Sequence, residues 1–255
     1  MGSLGYPAVA IIVIGTGIVA GGLAWLTRRW VHIDVLRRHH EIGSAVFLQI
    51  GVMFAVLLAF VFSEVWGEYN TAAGAIEQEC SALNGVALLS AALPAQPRER
   101  MKALLGAYTA SVIGQEFRLM ASRQESGEAK VAFHTLWLGA AAVQPEHGQE
   151  AMQNSILTLL SQAHENRNIR LYQMDRGLPA LIWLLLLSLA VVLVGFLLFF
   201  GVEYIGSQML FTAVFAASLA FILVLVALLD FPFEGVLSLK SSSFEGTAQN
   251  VAALR

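Results

Sequence analysis

Residues 178–202 read LPALIWLLLLSLAVVLVGFLLFFGV and hold no Asp, Glu, Lys or Arg. A bilayer core about 30 Å thick is crossed by about 20 apolar residues in helical form, so this run is long enough to span one. Three further runs share the property: Met1–Thr27, Ile42–Ser63 and Tyr204–Leu229. Four transmembrane helices are therefore expected, near 7–27, 43–64, 179–201 and 208–229. The composition agrees. The chain is 57% hydrophobic and 13% charged, against roughly 25% charge in an ordinary soluble domain.

Nothing basic precedes the first helix, and its apolar region is longer than a signal core, so it is expected to stay as an anchor. Trp25, Trp30, Trp66 and Trp183 fall near helix ends, where an aromatic belt forms. The loop RRWVHIDVLRRHHEI (28–42) carries Arg28, Arg29, Arg37 and Arg38, whereas no Lys or Arg precedes helix one. That contrast puts the loop in the cytoplasm and 65–177 in the periplasm of a bacterial inner membrane. Arg167, Arg170, Arg176 and Lys240 lie near membrane ends on the other side, so the assignment leans on the first helix.

Residues 65–177 are the part with soluble composition, with 11 acids and nine bases. Their apolar residues recur at helical spacing: Ala73, Ile76, Cys80, Leu83 and Ala87; then Met101, Leu104, Tyr108, Val112 and Leu119; then Ile156, Leu159, Ala163 and Leu171. LPAQP (93–97), SRQESGE (122–128) and VQPEHG (143–148) separate them, with a shorter helix near 129–141. Gly177 and Pro179 should interrupt the last helix. No Pro intervenes after Trp66, so the second membrane helix can run on into the first soluble one. The fold class is thus an all-α integral membrane protein with a helical extramembrane domain inserted between membrane helices two and three. The chain divides into a helix pair (1–64) with its basic loop, the inserted domain (65–177), a second pair (178–230) and a C-terminal tail (231–255).

No catalytic constellation appears. The six His form no HExxH pair, and a single Cys80 permits neither an internal disulfide nor a CxxC zinc site. HENR (164–167) and IEQEC (76–80) contain possible metal ligands but read more simply as solvated helix faces. GTGIVAGG (15–22) lies within a membrane helix, where Gly17 and Gly21 let backbones approach closely. Thr212, Ala216 and Ala220 form a similar small face. No enzyme activity, cofactor, metal or nucleic-acid partner is expected.

Polar groups in membrane helices carry more meaning, because lipid does not solvate them. Gln49, Met53, Phe60 and Glu64 fall on one face of the second helix. That face can line a conduit, with polar mouths and an apolar neck that gates by dewetting; ordinary helix packing explains it too. At the end of the fourth helix, Asp230, Phe231, Pro232, Phe233, Glu234 and Gly235 form an aromatic–proline–acid knot. Pro232 stops the helix and Gly235 permits a turn. Asp230 and Glu234 are expected to face water or a pore mouth. The knot reads either as a stop signal with interfacial anchors or as a gate beside an oligomer axis. Two acids at a mouth would favour cations.

YTASVIGQEFRLM (108–120), RGLPALIWLLLLSLAVVLVG (176–195) and LLDFPFEG (228–235), in this order of helices, resemble the bestrophin-like family of membrane proteins. The resemblance runs from about 40 to 245. True bestrophins are pentameric anion channels with a pore lined by their second membrane helix, so it implies a homo-oligomer in a lipid bilayer that passes inorganic ions. No pore residue transfers position by position. The resemblance also implies a cytoplasmic insert, against the arginine reading. The alternative function is a membrane-anchored sensor or scaffold acting through residues 65–177.

Overall fold

The computed structural model describes residues 5–31, 40–143, 150–200 and 202–254. Arg37, Arg38 and most of VQPEHG lie outside them. The elements are α1 (Tyr6–Trp30), α2 (His40–Ser90), α3 (Ala95–Ser111), a π-helical turn (Val112–Glu116), α4 (Phe117–Met120), α5 (Gly127–Ala141), α6 (Glu150–Asp175), α7 (Ala180–Leu198), α8 (Ile205–Leu229) and α9 (Ser242–Ala253). No strand occurs among the described residues. Two compact units form, one from Met1–Gly67 with Gly177–Asp230, the other from Glu68–Arg176 with Phe231–Arg255. Helix α2 contributes to both. Its 51 residues are unbroken, about 75 Å of helix at 1.5 Å per residue.

The first unit holds α1, the first half of α2, α7 and α8, each long and apolar enough to cross a membrane. Many large apolar side chains point outward from it: Ile18, Leu181 and Val191 are 69%, 74% and 71% exposed. Inside, α1 packs along α8. A Cβ at Gly17 would lie 3.0 Å from the Ala213 carbonyl oxygen, and one at Gly21 3.3 Å from that of Met209. Glycine allows that approach without strain. Thr212 and Ala216 are buried in the same unit. The Gly17/Gly21 face is thus engaged within one chain.

In the second unit, the latter half of α2 meets α3, α5, α6 and α9 around Ile76, Leu83, Met101, Leu105, Tyr108, Leu136, Leu160, Phe244 and Val251. The breaks fall where chemistry puts them. Pro97 sits in the first turn of α3, where its missing N–H leaves nothing unpaired. Ser126 caps α5, accepting from the Ala129 N–H at 3.2 Å. Residues 231–255 are no tail. Phe244, Thr247 and Val251 of α9 are buried. Ser243 donates to Glu77 at 2.6 Å, and Asn84 of α2 donates to Thr247 at 3.3 Å.

Candidate functional site

Helix α2 presents two stripes in the membrane unit. Phe54, Leu58, Val61 and Val65 are buried, at steps of four, three and four. Gln49, Met53, Phe60 and Glu64 are exposed. At 3.6 residues per turn the second set spans an arc of about 60°, centred about 120° from the first. Met53 and Phe60 are 58% and 72% exposed. The expected conduit face is therefore a shared face that the chain itself leaves uncovered.

The knot after α8 is placed differently from expectation. Asp230 is 2% exposed and does not face water. Its carboxylate accepts the Leu178 N–H at 2.8 Å and the Trp183 indole N–H at 3.3 Å. Helix α7 begins after Pro179, which supplies no side-chain cap. Asp230, at the end of α8, instead ties down the residue before that N-cap and the Trp183 side chain, near the α7 N-terminus where the helix dipole favours negative charge. Phe233 folds into the core of the helical unit, 6.2 Å from Phe117, and Pro232 is buried beside it in sequence. It is no free plug. Glu234 pairs with Arg123 at 2.8 Å, whose guanidinium lies 3.7 Å above the Phe231 ring. Gly235 takes φ 76°, the turn conformation that glycine adopts freely. With Asp230 buried and Glu234 paired, the argument from two mouth acids for cation preference lapses.

A third constellation escaped the sequence. Arg170 has no exposed surface, nor have Glu79 and Glu116. Its Nε donates to Glu79 at 3.0 Å, its Nη2 to Glu116 at 2.8 Å and its Nη1 to the Met120 sulfur at 3.0 Å. Arg167 donates to the other Glu116 oxygen at 2.7 Å, and the Tyr108 hydroxyl donates to Glu79. The Phe117 and Phe244 rings lie 5.4 and 5.3 Å from the Arg170 guanidinium carbon. Burial alone would lower the pKa of both arginines. For Arg170 the Glu79 and Glu116 carboxylates outweigh it, and for Arg167 the bond to Glu116 does, so both stay charged. Burial, reinforced by Glu79, pushes the Tyr108 hydroxyl well above its ordinary value and keeps it a donor.

IEQEC and HENR thus supply buried ion-pair partners, Glu79 and Arg167, where solvated faces or metal ligands were expected. No group of three His, Cys, Asp or Glu suited to a metal occurs among the described residues. Arg167 and Arg170 continue the stripe Ile156, Leu160, Ala163 at steps of four and three, a signal that two charges on an apolar face mark burial.

The sequence model of the bestrophin-like domain matches residues 14–244. The chain belongs to the bestrophin-like family. Its fold is similar to that of a bacterial bestrophin homologue from Klebsiella pneumoniae, with TM-score 0.75 and 14% identity over 96% of this chain and 98% of that one. A point-substituted form of that homologue gives TM-score 0.74 at 14% identity, over 96% and 98%. A membrane protein with a single proline-to-alanine substitution gives 0.75 at 13% identity, over 95% and 98%. At such identity the likeness is one of fold. No curated protein matches the sequence.

In this bestrophin-like chain, the motifs that carried the resemblance supply the buried constellations. YTASVIGQEFRLM contributes Tyr108, Glu116, Phe117 and Met120. Tyr108, Val112, Glu116 and Met120, four apart, are all fully buried. In an α-helix a step of four drifts about 40° each time. The π turn at Val112–Glu116 takes up that drift and keeps the four on one face. The short echo between Phe233–Gly235 and Phe244–Gly246 has a physical counterpart as well. Both phenylalanines meet the Phe117 ring edge-on, at 6.2 and 5.8 Å.

Proposed function

We propose that the protein assembles as a homo-oligomer around an ion-conducting pore lined by Gln49, Met53, Phe60 and Glu64 of α2. The observation that supports this reading is the shared, uncovered face of α2. Its two polar residues bracket Met53 and Phe60, and its packing stripe lies on another side of the helix. Met53 and Phe60 form the apolar neck, a constriction that gates by dewetting. Glu64 and Gln49 provide the polar ends. No catalytic role is proposed for any residue.

The test is cross-linking between copies in lipid. Phe60→Cys, in a Cys80→Ser background, forms an intermolecular disulfide on mild oxidation, because pore-lining positions converge on the axis. Leu181→Cys, on the outward face of α7, does not. Absence of any Phe60→Cys cross-link contradicts the α2-lined assembly.

Two assignments of sidedness for a bacterial inner membrane are separated by one experiment. The arginine contrast puts 28–42 in the cytoplasm and 65–177 in the periplasm; membership in the family favours the reverse. An impermeant maleimide on intact cells labels Leu88→Cys in the first case and a cysteine placed within 32–39 in the second. The scaffold reading draws on a groove of about 580 Å³ between α3 and α9, lined by Lys102, Gly106, Ile113, Val251 and Ala252. It takes over if the purified protein passes no ions.

A further inference from the structure

Helix α4 ends in a way that its sequence does not suit. Gln124 N–H reaches Leu119 O at 3.0 Å and Arg123 N–H reaches Met120 O at 3.0 Å. This is the Schellman pair, whose left-handed residue is usually glycine. Here the position is Arg123, at φ 56°, the one non-glycine residue with positive φ among the described residues. Left-handed backbone is costly for any residue with a Cβ. It persists where surrounding contacts fix it.

Those contacts are to residues 231–239. The Arg123 guanidinium stacks on Phe231 and pairs with Glu234, as described above. The segment is also folded on itself: Glu234 N–H bonds Phe231 O at 3.0 Å, Ser238 N–H bonds Gly235 O at 3.3 Å and Leu239 N–H bonds Pro232 O at 2.8 Å. Tyr69 donates to Leu237 O at 2.9 Å. Two kinds of attachment are therefore present. Phe233 and Pro232 are buried, while the Arg123 and Glu234 side chains keep 41% and 27% of their surface in solvent. A half-exposed ion pair is screened by salt, whereas apolar burial is not.

We infer that Arg123 is the releasable latch of a strap, residues 231–239, which lies on the helical unit directly after α8. The tolerated backbone conformation is the sign of it. Glycine would relieve the helix end but could not hold Phe231 and Glu234. This inference goes beyond the pore reading and stands whether or not the protein conducts.

Hydrogen exchange on the full-length protein in lipid nanodiscs tests it. Arg123→Gly leaves the Schellman turn intact and removes the latch, while Phe233 and Pro232 stay buried. Exchange at Glu234, Ser238 and Leu239 rises roughly 3- to 30-fold, the combined range for a partly exposed ion pair and a cation–π contact. Glu234→Gln gives a rise in the same place, and the double variant adds little to the larger single effect. Raising the salt concentration speeds the strap amides of the wild type and leaves those of Arg123→Gly unmoved. Amides of the helical core, such as Leu136 and Leu160, hold their rates throughout. Unchanged strap exchange in both single variants overturns the inference. So does a rise spread evenly over the helical unit, because that marks a general loss of stability.

Discussion

Arg170 sits without exposed surface between two carboxylates and two aromatic rings. Such a cluster is costly to assemble and more costly to break. Removing one partner leaves an uncompensated buried charge, about 3–5 kcal/mol. Arg170→Met is accordingly expected to destabilise the helical unit by about that amount, read as a fall in the midpoint of thermal or urea unfolding. Tyr108 gives the cluster a pH signature. Its folded pKa is raised, so its contribution is intact below the ordinary value near 10 and falls as pH climbs above it, because the unfolded chain loses that proton first. In a spectrophotometric titration, one of the five tyrosines ionises only with unfolding, and Tyr108→Phe removes that late phase. Asp230 makes a contrasting prediction. Asp230→Ala loses the hydrogen bonds from Leu178 and Trp183 and destabilises the start of α7 by about 1.5–3 kcal/mol. A carboxylate at a pore mouth would instead alter ion selectivity at unchanged stability. Melting curves beside current–voltage curves separate the two.

Helices were largely legible. The charge-free runs located all four membrane helices, because burying a backbone in lipid demands long apolar helix and leaves little freedom. The continuation of α2 past Trp66 followed from the absence of proline. Two elements and one buried residue pair escaped for physical reasons. The π turn shifts the register of α3, so the stripe through Leu104 and Leu119 became one through Leu105, Glu116 and Met120. Arg167 and Arg170 replaced Leu171 on α6, because charged residues are assumed to face water until a partner is known. Helix α9 was too short, and its apolar residues too few, to stand out from a tail. The packing of α1 on α8 offers an element-scale test with its own control. Gly17→Val drives a side chain onto a backbone oxygen and is expected to cost about 1–3 kcal/mol. Gly22, whose Cβ position meets nothing within 4 Å, is expected to accept alanine, with a gain of up to about 1 kcal/mol. Thermal unfolding in one detergent compares them.

For the whole molecule, membership in the bestrophin-like family and a fold shared with bacterial homologues agree with the reading of four membrane helices around an inserted helical domain. The face of α2 that the chain leaves exposed is the one on which the proposed conduit rests. The knot is packed rather than open: Asp230 holds Leu178 and Trp183, and Glu234 pairs with Arg123. In the proposed pore, gating falls to the apolar stretch Met53–Phe60 of α2. Native mass measurement in mild detergent is expected to give several copies per particle; a stable monomer across lipids removes the pore.

Current through purified protein in a planar bilayer, wild type against Phe60→Ala, tests the central claim most directly. The account predicts discrete conductance from the wild type and a larger conductance or open probability from Phe60→Ala, because the narrowed apolar stretch is widened. Outward-facing Leu181→Ala leaves the current unchanged. Silence of the wild type under every ion and pH tried, or a current indifferent to Phe60→Ala, contradicts it.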